Sequence, residues 1–143
     1  MGALTGRKPQ FRSGDIVYGY LRPYLNKVWI AEFDGLCSVD QYVYEVNQEI
    51  VDAEFVAWFM RSPTYLSRAP IDTTPGQLPR IRTEEVATVI INLPPLQEQR
   101  SIAAFVRAAF QQQLYVRDAL REKLVALERL PAALLSEAFQ DLE

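Results

Sequence analysis

Asp40 and Glu45 are carboxylates on one predicted strand, and a magnesium-dependent nuclease uses such a pair to hold its ion. The following segment, Tyr44-Glu45-Val46-Asn47, lacks the lysine that such chemistry wants two residues beyond the acid, so an acidic strand edge is the better reading. The chain has no histidine and a single cysteine, Cys37. Those two facts remove Ser–His and Cys–His nucleophile pairs, His-based metal sites, thiolate zinc clusters and intrachain disulfides. No glycine-rich phosphate loop is present. The expectation is a non-enzymatic binding protein with no cofactor and no metal.

The string Asn92-Leu93-Pro94-Pro95-Leu96 carries two prolines near a polar residue, as base-flipping amino-methyltransferases do. That chemistry needs the polar residue directly before the prolines and an aromatic directly after them. Here Leu93 intervenes and Leu96 follows, so the match is false.

What remains is a set of cations and amides with an uneven distribution. Residues 1–27 hold Arg7, Lys8, Arg12, Arg22 and Lys27 against Asp15 alone. Residues 28–60 hold Glu32, Asp34, Asp40, Glu45, Glu49, Asp52 and Glu54 with no cation. Residues 61–82 hold Arg61, Arg68, Arg80 and Arg82 against Asp72. Two basic stretches flanking an acidic one can fold into a positive face, or else into a mixed solvated surface; the net charge of −3 by itself argues against a polyanionic partner. If the face exists, flexible cations meet phosphates, and forked or amide side chains meet base edges. Lys8 and Arg12 suit the backbone. Arg22, Tyr24, Asn26 and Lys27 lie in one predicted loop, and Thr73, Thr74, Gln77 and Arg80 in another, with Arg80 or Gln77 placed for a bidentate contact. The competing roles are structural: Pro23 and Tyr24 pack their loop, and Arg22 pairs with an acid. Trp29 and Trp58 sit in apolar runs and are read as core.

The elements that position these groups follow from periodicity. Ile16, Tyr18 and Tyr20 alternate with Val17 and Gly19, and Asn26–Phe33 is a second β-rich run. Pro23 breaks the two apart, and Asp34-Gly35 marks a turn. Val39, Tyr42, Tyr44 and Val46 mark a third strand. Asp52 is placed as an N-cap for a helix carrying Phe55, Val56, Phe59 and Met60, which Pro63 ends or restarts. Residues 68–82, with three prolines and a glycine, read as an exposed connection. Thr83 with Glu84 and Glu85 reads as a short helical start, and Ala87–Leu93 as a β-branched strand.

Pro94 and Pro95 fit the first turn of a helix, where a missing N–H costs nothing. Beyond them Ile102, Val106, Ala109, Gln113, Val116, Leu120, Lys123, Leu127 and Leu130 fall on alternating steps of four and three. That is a coiled-coil seam sustained for about four heptads, imperfect at Gln113 and Lys123 and widened by Phe110 and Leu124. A helix from Leu96 to Leu130 spans roughly 50 Å at ~1.5 Å per residue, more than a globule of ~95 residues measures across. Much of the seam is therefore expected to project and to pair with another helix, with Gln113 fixing register; the alternative lays it back over the sheet. After Pro131 a second, short helix is expected. The predicted fold class is thus α/β (α+β): a small mixed-sheet globule with short helices over residues 1–95, then a long coiled-coil helix and a short terminal one over residues 96–143. No apolar run reaches membrane-spanning length, and no signal peptide or myristoylation pattern is seen, so a cytoplasmic protein is expected.

In order and spacing, these features resemble the DNA specificity (S) subunits of type I restriction–modification systems. The likeness rests on residues 11–43, "FRSGDIVYGYLRPYLNKVWIAEFDGLCSVDQYV", then "FVAWFMRSPTYL", "GQLPRI" before "INLPPLQEQRSIAAFV", and "LPAALLSEAFQDL". It implies a non-catalytic target recognition domain followed by a long helix. Such helices pair antiparallel as a ruler between two half-sites of split double-stranded DNA, and the subunit docks modification (methyltransferase) and restriction subunits. Two departures stand out: no internal repeat supplies a second unit, and only about ten residues precede the Gly14-Asp15-Ile16 strand. The expected roles are therefore DNA half-site reading with self-association through Ile102, Val106, Ala109, Gln113, Val116, Leu120, Leu127 and Leu130. A shortened assembly module that pairs without binding DNA is the alternative.

Overall fold

The computed structural model describes residues 8–82, 86 and 88–140, Gln140 by its backbone only. Seven short strands, two short helices and one long helix make up the described chain: β1 (Gln10–Phe11), β2 (Ile16–Gly19), β3 (Val28–Ile30), β4 (Gly35–Leu36), β5 (Gln41–Tyr44), α1 (Ala53–Met60), α2 (Pro63–Arg68), β6 (Ile71–Asp72), β7 (Arg80–Ile81) and α3 (Leu96–Gln140). This is an α/β (α+β) fold of small sheets and short helices followed by a long C-terminal helix. Every strand pairing among the described residues is antiparallel, so the sheets are not mixed.

The central sheet has the order β3-β2-β5, with Val17 opposite Trp29 on one side and Val43 on the other. All four residues of β2 are buried, because its two faces serve two cores. Ile16 and Tyr18 point to one core with Ala57, Met60, Tyr65, Ala69 and Ile81. Val17 points to the other with Phe11, Ala31 and Cys37. The period-2 alternation of a strand is what sends neighbouring residues to opposite sides. Trp29 and Trp58 lie half-buried at the margins: Trp29 packs edge-on to Phe11, and Trp58 lies beneath the Arg61 guanidinium.

Helix α1 starts where sequence placed it. The Asp52 carboxylate accepts from the Phe55 N–H at 2.9 Å, satisfying one of the donors a helix start leaves over. Pro63 restarts the chain as α2, capped by the Ser62 hydroxyl, which accepts from the Tyr65 N–H.

Three expectations need correction. Residues 88–93 form no strand, and the helical start at Thr83, Glu84 and Glu85 lies outside the described residues. The proline-rich connection is not wholly exposed, because β6 and β7 pair across it and put Ile81 at 0% exposure. Pro131 does not divide the last helix: α3 continues through it to Gln140. Pro94 and Pro95 sit just ahead of α3, where the Pro95 carbonyl accepts from the Glu98 and Gln99 N–H groups.

The reason for the Leu93–Gln99 motif is now visible. Gln99, buried to 1% exposure, donates through Nε2 to the carbonyls of Ile50 at 3.0 Å and Pro94 at 2.8 Å. Its Oε1 accepts from the Asp52 N–H at 2.9 Å. One amide thus joins the start of α3, the loop before α1 and the residue that caps α1. The chain divides into two compact units, residues 1–103 and 104–143, and this junction lies wholly in the first. In the second unit, no described side chain is buried.

Gln99→Leu leaves one N–H and two carbonyls without partners, at ~1–3 kcal/mol for each buried group not reached by water. Denaturant unfolding followed by tryptophan fluorescence should show a loss of about 3 kcal/mol or more. Gln99→Glu should lose more, since it sets a carboxylate against two carbonyls.

Candidate nucleic-acid interface

The loop after β2 is held in a costly conformation. Arg22 and Asn26, which bracket the 3-10 turn Pro23–Leu25, both have positive φ, 52° and 55°. A non-glycine residue there carries a penalty of roughly 1–2 kcal/mol, so the surroundings must hold it. They do. The Arg22 N–H donates to the Pro79 carbonyl at 2.7 Å, and Pro23 is buried. Asn26 Nδ2 donates to the Arg61 carbonyl at 2.7 Å. Arg61 Nη2 donates in turn to the Val28 carbonyl at 2.6 Å, while its guanidinium stacks on Trp58. Burial pushes the Arg61 pKa below its usual value, with Glu54 opposing.

The second loop is a hairpin against the first. Leu21 bridges Arg80, and the Ile81 N–H donates to the Tyr20 carbonyl at 3.2 Å. The Tyr42 hydroxyl donates to the Ile81 carbonyl, and Tyr20 and Tyr42 stack with ring centroids 4.4 Å apart. The hairpin tip turns at Thr74–Gln77 with Pro75 second and Gly76 third; the Gly76 φ of +79° is what that turn type demands. Asp72 organises the base. It accepts from the Thr74 N–H and hydroxyl, the latter at 2.6 Å, and from Arg82 Nη2 at 2.8 Å, with Arg80 Nε 3.8 Å away. The Thr74 hydrogen bond, then the Arg82 one, hold the Asp72 carboxyl far below the usual carboxylate range. Arg80 Nη2 donates to Gln77 Oε1 at 2.7 Å.

The two candidate groups that sequence could only name separately therefore lie side by side, joined through Arg22–Pro79 and Leu21–Arg80. Tyr24 is 60% exposed, and Arg22, Lys27, Thr73, Thr74 and Gln77 are exposed beside it in the same two loops. Arg80 is half-buried and engaged with Gln77 and Asp72. Asn26 is spent on holding its loop through Nδ2. Lys8 and Arg12 are exposed elsewhere: Arg12 adjoins the turn before β2, at the opposite end of that strand from Arg22, and Lys8 precedes β1. Asp40 lies close enough to Tyr20 to help burial raise its pKa, while Arg80 opposes it, so one carboxylate flanks the basic loops. Asp72 and Arg61 were missed as positioning groups. Asp72 offered a signal, an acid two residues before Thr74 and ahead of a Pro-Gly turn; for Arg61 nothing local distinguished it from a surface cation.

No group of histidine, cysteine or carboxylate side chains among the described residues could hold a metal ion. No helix among them is long and apolar enough to cross a membrane.

On α3 the predicted seam is solvent-facing: Ile102 at 38% exposure, Val116 at 45%, Leu120 at 61%, Leu127 at 63% and Leu130 at 49%, with Val106 half-buried and Ala109 and Gln113 exposed. Phe105, Leu114 and Tyr115 are exposed as well, beyond the seam the heptad steps marked.

Asp72 has a sign that can be tested. A depressed folded-state pKa contributes stability that is present above the ordinary carboxylate value and lost as pH falls through the depressed one. The hairpin amides of Thr73, Thr74, Gly76, Gln77 and Leu78 should hold their chemical shifts from neutral pH down past about pH 4, the usual aspartate midpoint. Asp72→Asn should speed their hydrogen exchange while leaving the global unfolding midpoint in place.

No protein-family model matches the chain. The specificity subunit of the type I restriction enzyme EcoDI from Escherichia coli is 32% identical over 137 residues, 96% of this chain and 30% of that protein. The crystal structure of the HsdS subunit from Thermoanaerobacter tengcongensis superposes with a TM-score of 0.73 at 30% identity, over 88% of this chain and 33% of that one. A chain from a structure of type I R-M complex assembly and conformational transition superposes at 0.78 with 29% identity, over 94% of this chain and 36% of its own. The chain spans about a third of the length of these proteins. In sequence and in backbone alike, the chain is similar to one part of a type I restriction specificity subunit.

Proposed function

We propose that this chain is a DNA sequence-recognition element of a type I restriction–modification system. It binds half of a bipartite double-stranded site through residues 21–27 and 71–82, and docks methyltransferase and restriction subunits. The reading is supported most by the joining of two independently predicted basic loops into one surface, in a domain whose relatives are specificity subunits. Phosphate contacts fall to Arg22, Lys27 and Arg82, and base contacts to Thr73, Gln77 and Arg80; Lys8 and Arg12 would serve a flanking stretch of backbone. The role is recognition without catalysis, in the cytoplasm, with no cofactor. The exposed stripe through Ile102, Val106, Ala109, Gln113, Val116, Leu120, Leu127 and Leu130 pairs with a second such helix. That stripe, with the acidic net charge, also favours the second reading, an assembly module that does not bind DNA.

Titration of a fluorescent random duplex separates the two. DNA recognition predicts binding at low salt that weakens as salt rises, with a slope of about −0.9 per phosphate neutralised. No binding even at low salt leaves the assembly module.

Pairing has its own test. Leu120→Glu removes ~2 kcal/mol of burial per copy and should weaken a dimer on the order of 1000-fold in sedimentation equilibrium, with the near-ultraviolet dichroism of the globule unchanged. An unchanged association constant rules out this seam.

A further inference from the structure

We infer that Gln77 and Arg80 act as one unit that reads a guanine in preference to adenine. The inference rests on the DNA-binding reading above and goes on to name the base.

A free glutamine offers a base one acceptor and one donor, the pattern that matches adenine N6 and N7 in the major groove. Gln77 is not free: its Oε1 accepts from Arg80 Nη2 at 2.7 Å. Oε1 keeps one lone pair, already turned beside a cation, and the Nε2 amide remains free to donate. Arg80 has no acceptor in any state, and Asp72 holds its Nε side at 3.8 Å. Among the described residues nothing else accepts from Arg80 Nη1 or Gln77 Nε2. The pair therefore presents the donors of Arg80 Nη1 and Gln77 Nε2 against a single lone pair left on Oε1.

Guanine is the base whose major-groove edge shows two adjacent acceptors, N7 and O6. Adenine and cytosine each place an amino donor there, which only the one lone pair left on Gln77 Oε1 can accept, the other free groups of the pair being donors. Thymine offers one acceptor beside a methyl group. Both side chains lie on the β6–β7 hairpin, whose base Asp72 braces and whose flank is bridged to Leu21, so the donor array is set before DNA arrives. A phosphate is also an acceptor-only partner, and the experiment must distinguish it.

The test is selection of duplexes from a randomised pool by the whole chain, repeated with Arg80→Lys and Gln77→Ala. Wild type should enrich a site containing a guanine that contributes roughly five- to 150-fold discrimination over other bases. Arg80→Lys keeps the charge and loses the fork, so it should flatten that one position while non-specific affinity at low salt stays within about twofold. Gln77→Ala should weaken preference at the same position. Replacing that guanine by 7-deazaguanine, which lacks the N7 acceptor, should lower wild-type affinity and leave Arg80→Lys indifferent.

The inference is overturned if the two variants affect different positions, if the position they share is adenine, or if Arg80→Lys keeps the guanine preference intact. It is equally overturned if both variants lower affinity alike for every sequence, which marks a phosphate contact. A wild type that binds DNA but enriches no base at a position sensitive to Arg80 rejects this unit alone. A wild type that binds no duplex rejects the DNA reading with it.

Discussion

The amide of Gln99 is the constraint on which the first unit depends. Three backbone groups from two segments converge on one buried side chain, and no apolar residue of similar size can satisfy them. A buried polar network of this kind is costly when incomplete and specifying when complete. It sets where α3 begins relative to the cap of α1. Helix α1 in turn delivers Arg61, whose carbonyl and guanidinium hold Asn26 and Val28. The start of the long helix and the conformation of a candidate DNA loop are thus linked through a short series of hydrogen bonds.

Strand β2 transmits the same order to the hairpin. Buried on both faces, it cannot slip register without moving Tyr18 out of one core or Val17 out of the other. Its continuation through Tyr20 and Leu21 meets β7, and that contact places Arg80. The hairpin itself has only two residues per strand. Such a ribbon is marginal alone. Its stability comes from Ile81 in the core, from Tyr42 on the Ile81 carbonyl and from Asp72 beneath the turn. Rigid anchorage of a short exposed tip is what base readout requires, since a floppy arginine loses in ordering entropy much of what it gains in contact.

Much of this was legible in the residues. The strand alternation around Tyr18, the Asp52 cap and the stripe from Ile102 to Leu130 are local patterns, and local patterns survive in one dimension. The function of Gln99 was not legible, because its partners at Ile50 and Asp52 lie nearly fifty positions away. The β6–β7 hairpin was hidden by its prolines. Pro70, Pro75 and Pro79 argue against strand structure, yet none of them falls within the paired residues, which are only Ile71–Asp72 and Arg80–Ile81. The failed strand at residues 88–93 shows the opposite error: β-branched composition promises a strand only where an edge is available to receive it. The candidate site was found as two loops, but their adjacency depends on the Arg22–Pro79 and Leu21–Arg80 contacts, which no spacing encodes.

Pro131 sharpens the reading of the long helix. An interior proline removes one hydrogen bond and crowds the carbonyl four residues back, at about 3 kcal/mol, so a break was the natural expectation there. The helix runs on to Gln140 all the same. Isolated helices draw little stability from propensity; what sustains most helices is burial of an apolar face. Here Leu120, Leu124, Leu127 and Leu130 lie before the proline, and Leu134, Leu135 and Phe139 lie after it, all at about half exposure or more. Apolar surface on both sides of the proline gives a covering partner the same reward before and after it. A partner helix running the full length would offset the proline's cost, whereas one ending near Leu130 would leave the last turns to fray. The continuity of α3 through Pro131 thus fits a pairing face longer than the Ile102–Leu130 seam that the heptad steps alone define.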